Sequence, residues 1–212
     1  MASLAARLTR RFIAGLARAV TGVAADWRGC RPEPRQRVYF ANHRSHGDFV
    51  LIWTVLPPEL RRRVRPVAAA EIWDGPGLGG FVGREVFHAV PIDRHGAHRL
   101  KDAMAAMSAA LADGASLIVF PEGTRNTGDD ALLPLRSGIH HLAAAHPDVE
   151  FVPVWIDNVS RVLPKGEFLP IPLLCRVVFG EPLVFDPALE RQVWLDRARD
   201  ALLALKPEDP AP

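Results

Sequence analysis

Large apolar residues recur every third or fourth position at the start of the chain, at Leu4, Leu8, Phe12, Leu16, Val20 and Val23, with Ile13 widening the stripe. This period predicts an amphipathic helix over 4–23, with Arg7, Arg10, Arg11 and Arg18 on its other side. Beyond it the apolar positions gather into short unbroken runs, as in strands covered on both faces. Runs at 38–41, 65–70, 87–92, 116–120, 151–156 and 175–179 predict strands. Helical segments fall between them: an apolar run from 49 closed by Pro57 and Pro58, then 98–112, 139–145 and 189–205. Leu100, Met104, Met107 and Leu111 line one face of the second, a spacing that reads as core, and Asp113-Gly114 stops it. Residues 27–36, polar and proline-bearing, read as a connector. Strands alternating with helices predict an α/β fold: a mixed, largely parallel sheet flanked by helices, preceded by the amphipathic helix. The expected division is a helix over 1–25, one domain over 26–206 and a loose tail over 207–212.

Composition narrows the class. The 212 residues, 49% hydrophobic, are enough for one domain with a sizeable core. Net charge is only +2, but arginine is clustered near the N-terminus, over 28–37 and at Arg61, Arg62, Arg63 and Arg65. Such clusters suit an anionic surface or substrate. Zinc-finger, RNA-binding and basic-zipper signatures are missing, which argues against nucleic acid. Cys30 and Cys175 lack paired spacing and suggest neither a disulfide framework nor a zinc site. No apolar run approaches the roughly 20 residues needed to span a bilayer. The first helix is open to three readings: lying in a membrane interface, docked on the domain's core, or a targeting peptide. Arg18 and the scarcity of serine weaken the last, and a retained helix touching membrane is preferred.

The candidate chemistry sits where strands end. Asn42-His43-Arg44-Ser45-His46-Gly47-Asp48 joins the strand at 38–41 to the following helix. A carboxylate early in that helix can fold back onto the imidazole and make His43 a general base oriented by Asp48. The same spacing is also a helix-capping pattern, so both readings stay open on these residues alone. Asp93 and Arg94 follow another strand, and Glu122, Gly123, Thr124 and Arg125 follow the strand at 116–120. In a parallel sheet these ends share one edge and could line one crevice. Gly123 would allow close backbone approach, and the arginines offer forked donors suited to phosphate. A base beside a phosphate clamp suggests moving a group onto a hydroxyl of a phosphorylated acceptor.

Asn42-His43-x-x-x-x-Asp48 together with Phe120-Pro121-Glu122-Gly123-Thr124-Arg125 resembles the glycerolipid acyltransferases, most closely the 1-acyl-glycerol-3-phosphate (lysophosphatidic acid) acyltransferases. The resemblance continues through Val90-Pro91-Ile92-Asp93-Arg94, Leu135-Arg136-Ser137-Gly138, Val152-Pro153-Val154 and Gly180-Glu181-Pro182. It implies the glycerol-3-phosphate acyltransferase-like fold. It also implies that His43 deprotonates the acceptor hydroxyl, which attacks an acyl thioester carried by CoA or acyl carrier protein and yields phosphatidic acid. Asp48 would support His43, while Glu122, Gly123, Thr124 and Arg125, assisted by Arg94, would hold the glycerol-phosphate. Beyond the thioester co-substrate the resemblance implies no cofactor and no metal. The expected setting is cytoplasmic, peripheral on the inner face of the cell membrane. The family usually has lysine where Arg136 stands, which keeps the charge but changes the geometry. The alternatives are the same chemistry on another lysolipid acceptor, a non-catalytic membrane-surface lipid-binding module, or a metal hydrolase, for which the scattered histidines and aspartates offer no ligand set.

Overall fold

Ser3 opens the first helix, α1 (Leu4–Thr21), by accepting a hydrogen bond from the Ala6 amide at 3.1 Å, and Gly22 closes it in the left-handed region. The structure is a computed structural model and describes residues 3–73, 75, 77–93, 99–158 and 175–207. After α1 come β1 (Ala24–Trp27), β2 (Arg37–Ala41), α2 (Asp48–Val55), α3 (Pro58–Arg61) and β3 (Val64–Ala69). The short helices α4 (Ala70–Trp73) and α5 (Leu78–Phe81) lead into a π-helical turn, Val82–Phe87, and then β4 (Val90–Ile92). The remainder is α6 (Arg99–Ala112), β5 (Ser116–Val119), α7 (Gly138–Ala145), β6 (Glu150–Asn158), β7 (Cys175–Phe179) and α8 (Arg191–Leu203).

The strands form one sheet in the order β1-β7-β6-β2-β5-β3-β4. β6, β2, β5, β3 and β4 run parallel, β7 is antiparallel to β6, and β1 pairs parallel to β7. The mixed, largely parallel sheet with flanking helices is the architecture expected from the sequence. Alternate residues of the central strands feed two cores. Val38, Phe40, Leu117 and Phe151 pack with Leu111, Leu142, Trp194 and Leu202 of α6, α7 and α8. Tyr39, Ala41, Ile118 and Val152 pack on the other face with Ala14, Ile52, Trp53 and Phe87. Each Val, Leu, Ile or Phe among them, fully buried, contributes about 1.5–3 kcal/mol before entropy is counted. At the amino end of the sheet buried Arg37 of β2 donates from Nε to Glu150 of β6 at 2.8 Å, directly across the ladder.

Two expectations are corrected. The run at 87–92 is a strand only over Val90–Ile92, because Val86 and Phe87 belong to the π-helical turn and His88 adopts a positive φ of 50° that ends it. The segment before the expected connector holds β1, whose four residues owe their conformation to pairing with β7. Helix α1 presents a face the sequence did not single out. Ala6 and Ala14 are buried against the domain, whereas Leu4, Leu8, Phe12, Leu16 and Val20 are each more than half exposed. Of the expected stripe, Ile13 and Val23 pack into the core, so the core-docked reading holds for those two and not for the five exposed side chains. The rest of the stripe facing the domain is made of small residues and of Arg10 and Arg18, which donate to the carbonyls of Val86 and Thr54 at 2.6 and 3.0 Å.

Candidate active site

Because β2, β5, β3 and β4 are parallel, their carboxyl ends share one edge, and His43, Asp93 and Glu122 follow those ends. Asn42 extends β2 beyond its last ladder residue. Its buried side-chain amide donates to the Ile156 carbonyl at 3.1 Å and accepts from the Ile156 amide at 2.7 Å. The next residue, His43, is thus delivered from a fixed backbone. Its ring stacks on Phe120, with centroids 4.1 Å apart and planes 19° from parallel. Nδ1 lies 3.0 Å from Asp48 Oδ2.

Asp48 is the first residue of α2 and is 1% exposed. The same Oδ2 also accepts from the backbone amides of Arg44 and Ser45 at 2.7 and 2.8 Å. The carboxylate therefore both closes the turn before the helix and holds the imidazole, while the helix N-cap, Gly47, receives no side-chain cap bond. Its other oxygen, Oδ1, is buried and has no hydrogen-bond partner among the described residues. With Nδ1 held by Asp48, Nε2 is the ring nitrogen left without a partner among the described residues.

The loop after β5 brackets His43 by its main chain. Glu122, 1% exposed, accepts from the His43 amide at 2.7 Å through Oε1 and from the Leu133 amide at 2.9 Å through Oε2. Burial pushes the Glu122 carboxyl above its ordinary value, and the bonds from Leu133 and His43 oppose that. The Asn126 amide in turn donates to the His43 carbonyl at 2.7 Å. Both oxygens of Glu122 face backbone, and Glu122 does not line the adjoining cavity.

That cavity, of about 550 Å³, contains the His43 ring in its wall. Phe49, Trp73, Met107, Ile139 and Leu142 give it an apolar side, and Gly123, Arg136 and Asp93 add polar or backbone surface. Gly123 has φ +72°, and a Cβ there would lie 3.2 Å from Cγ of Arg136, so glycine both permits the turn and leaves room for that arginine. Thr124 and Arg125 are exposed and do not line the cavity, and Arg94 lies outside the described residues. Among the described residues no three His, Cys, Asp or Glu side chains group as ligands for a metal ion. Sequence reasoning placed Arg136 only by its family position and gave Asn42 and Asn126 no role of their own. The signal for the latter two was their place directly beside His43 and at the end of the glutamate-bearing loop, but their partners are remote backbone groups.

A family model described as Acyltransferase matches residues 30–157. The 1-acyl-sn-glycerol-3-phosphate acyltransferase of Limnanthes alba is 29% identical over 177 residues, covering 82% of this chain and 60% of that protein. The human 1-acyl-sn-glycerol-3-phosphate acyltransferase alpha is 33% identical over 154 residues, covering 69% of this chain and 50% of its own length. The crystal structure of the 1-acyl-sn-glycerophosphate (LPA) acyltransferase PlsC from Thermotoga maritima has the same fold, with a TM-score of 0.66 at 21% identity, over 95% of this chain and 80% of that one. The chain belongs to the acyltransferase family. It spans about 50–60% of the length of these curated relatives.

Proposed function

We propose that the chain moves a fatty acyl group from a thioester of CoA or acyl carrier protein to the free hydroxyl of 1-acyl-glycerol-3-phosphate, giving phosphatidic acid. The observation that carries this reading is the His43–Asp48 pair beside a largely apolar cavity. An alcohol is a weak nucleophile at neutral pH, so an oriented base is the element this reaction needs most. Nε2 of His43 takes the hydroxyl proton as the oxygen attacks the thioester carbonyl, and Asp48 stabilises the imidazolium that forms. Collapse of the tetrahedral species breaks the carbon–sulfur bond, and the imidazolium returns the proton to the departing thiolate. The apolar wall suits acyl chains, and Arg136 in the lining offers forked donors to the acceptor's phosphate. The names of the relatives support the acceptor. In this reading the thioester is the co-substrate and no other cofactor takes part.

The same reading makes the protein peripheral, at the cytoplasmic, inner face of the cell membrane, with α1 as the contact. Five large apolar side chains face outward along α1, the arrangement of a helix that lies in an interface, and no described helix is long and apolar enough to cross a membrane. The direct test crosses acyl-CoA and acyl carrier protein donors with lysophosphatidic acid, other lysophospholipids and monoacylglycerol. Turnover of lysophosphatidic acid with at least one donor is the expected result. Turnover of unphosphorylated acceptors alone would remove the phosphate clamp, and no turnover with any pair would favour a lipid-binding module.

A further inference from the structure

The arginine run around β3 has no part in that chemistry. Arg62, Arg63 and Arg65, with Arg84 and His88, wall a cleft of about 800 Å³ in which Asp113 is the one acidic lining residue among the described residues. The cleft opens at the start of β3 and before β5, at the opposite edge of the sheet from the His43 cavity. Asp113 lies 3.5 Å from Arg65, and among the described residues Arg62 and Arg63 form no ion pair. Arg62 and Arg63 add two guanidinium groups beside the Arg65–Asp113 pair, and their forked donors match phosphate oxygens. Helix α1 is tied to residues of the cleft wall and to the segment before it. Arg10 donates to the carbonyls of Val86 and Glu85 at 2.6 and 3.0 Å, and its Nη2 is 2.6 Å from His88 Nε2. Arg18 donates to the Thr54 carbonyl at 3.0 Å, and Arg61, next to Arg62, donates to the same oxygen at 2.8 Å.

We propose that this cleft is a headgroup site, taking the phosphate of an anionic phospholipid while the outward face of α1 lies in the same membrane. The proposal rests on α1 being the membrane contact, and its test separates the two. Co-sedimentation is measured with phosphatidylcholine vesicles and with vesicles that also contain phosphatidylglycerol. The full chain is compared with R62Q/R63Q, with R191Q/R197Q on exposed positions of α8 as a charge-matched control, and with Phe12→Asp. R62Q/R63Q should lose about tenfold or more in affinity for the anionic vesicles, and the control pair much less. Equal losses in the two pairs, or none in R62Q/R63Q, would overturn the headgroup site. Phe12→Asp should weaken binding to both vesicle types; wild-type binding by that variant would remove the α1 contact alone, the site standing on the arginine result. Inorganic phosphate titrated without vesicles separates the sources: saturable binding lost in R62Q/R63Q, with no preference for anionic vesicles, would assign the cleft to a free anion and overturn the lipid.

Discussion

Glu122 accepts a 2.7 Å hydrogen bond from the main-chain amide of His43, and this bond ties the two most recognisable stretches of the sequence together. The second carboxylate oxygen takes the Leu133 amide at 2.9 Å, and the Asn126 amide takes the His43 carbonyl at 2.7 Å. The loop after β5 therefore fixes the backbone from which the imidazole projects, whatever else it does for the acceptor.

A glutamine at position 122 keeps the shape but can present an acceptor to only one of the two amides, turning a donor toward the other. Glu122→Gln should lower stability by about 1–3 kcal/mol in urea unfolding, the cost of a buried donor left unmade. Steady-state kinetics should show kcat falling while KM for the acceptor changes little. A raised KM with unchanged kcat would instead make Glu122 a ligand of the acceptor.

Arg136 is the arginine that the structure places in the cavity wall, with Gly123 packed against its stem. Arg136→Ala should raise KM for a phosphorylated acceptor about tenfold, a charge-assisted contact being worth about 1.5–3 kcal/mol. Arg125→Ala, on an exposed side chain outside the lining, should have the smaller effect. Gly123→Ala should also raise KM, because a Cβ in the left-handed region costs roughly 1–2 kcal/mol and presses on Arg136. Initial-rate measurements across acceptor concentrations decide all three.

His88 gives α1 a dependence on pH. Burial, and after it the Arg10 guanidinium, hold its imidazole below the ordinary value, with Arg65 adding to the depression and the Arg84 backbone and Glu85 opposing it. A histidine depressed in the docked form binds fewer protons there than when released. Its contribution to docking is therefore complete above about pH 6.5 and is lost as pH falls through the depressed value. Amide-exchange protection factors in α1 should drop between neutral and mildly acidic pH. His88→Gln should flatten that response, and an unchanged response would exclude the Arg10–His88 contact as its source.

The parts of this molecule that were legible in its sequence are those whose signal is local. β2, β5 and β6 are unbroken apolar runs covered on both faces, and α6 and α8 carry their own periodicity. His43 and Asp48 are five residues apart, so the turn between them brings them together with little help from the rest of the fold. The illegible parts are decided by distant partners. Ala24–Trp27 carries too few positions to show alternation and becomes a strand because β7 offers an edge. Phe87 looks like the start of a strand but buries itself in a helical turn beside Trp53 and Trp73. The side on which α1 docks was hidden because apolarity marks a stripe without saying what covers it. Here small residues allow close approach and the arginine stems reach over to backbone carbonyls. Glu122 was a ligand of the glycerol-phosphate only by the family resemblance, and its long-range bonds to His43 and Leu133 reveal its hold on the backbone.

The most direct measurement of the account is the acylation rate of His43→Ala with an acyl thioester and lysophosphatidic acid, alongside its melting temperature. Removal of an oriented base should cut turnover by about 10²–10⁴-fold, with the fold intact because His43 is anchored through its backbone rather than its ring. Turnover within a few-fold of wild type, on a folded protein, would contradict it.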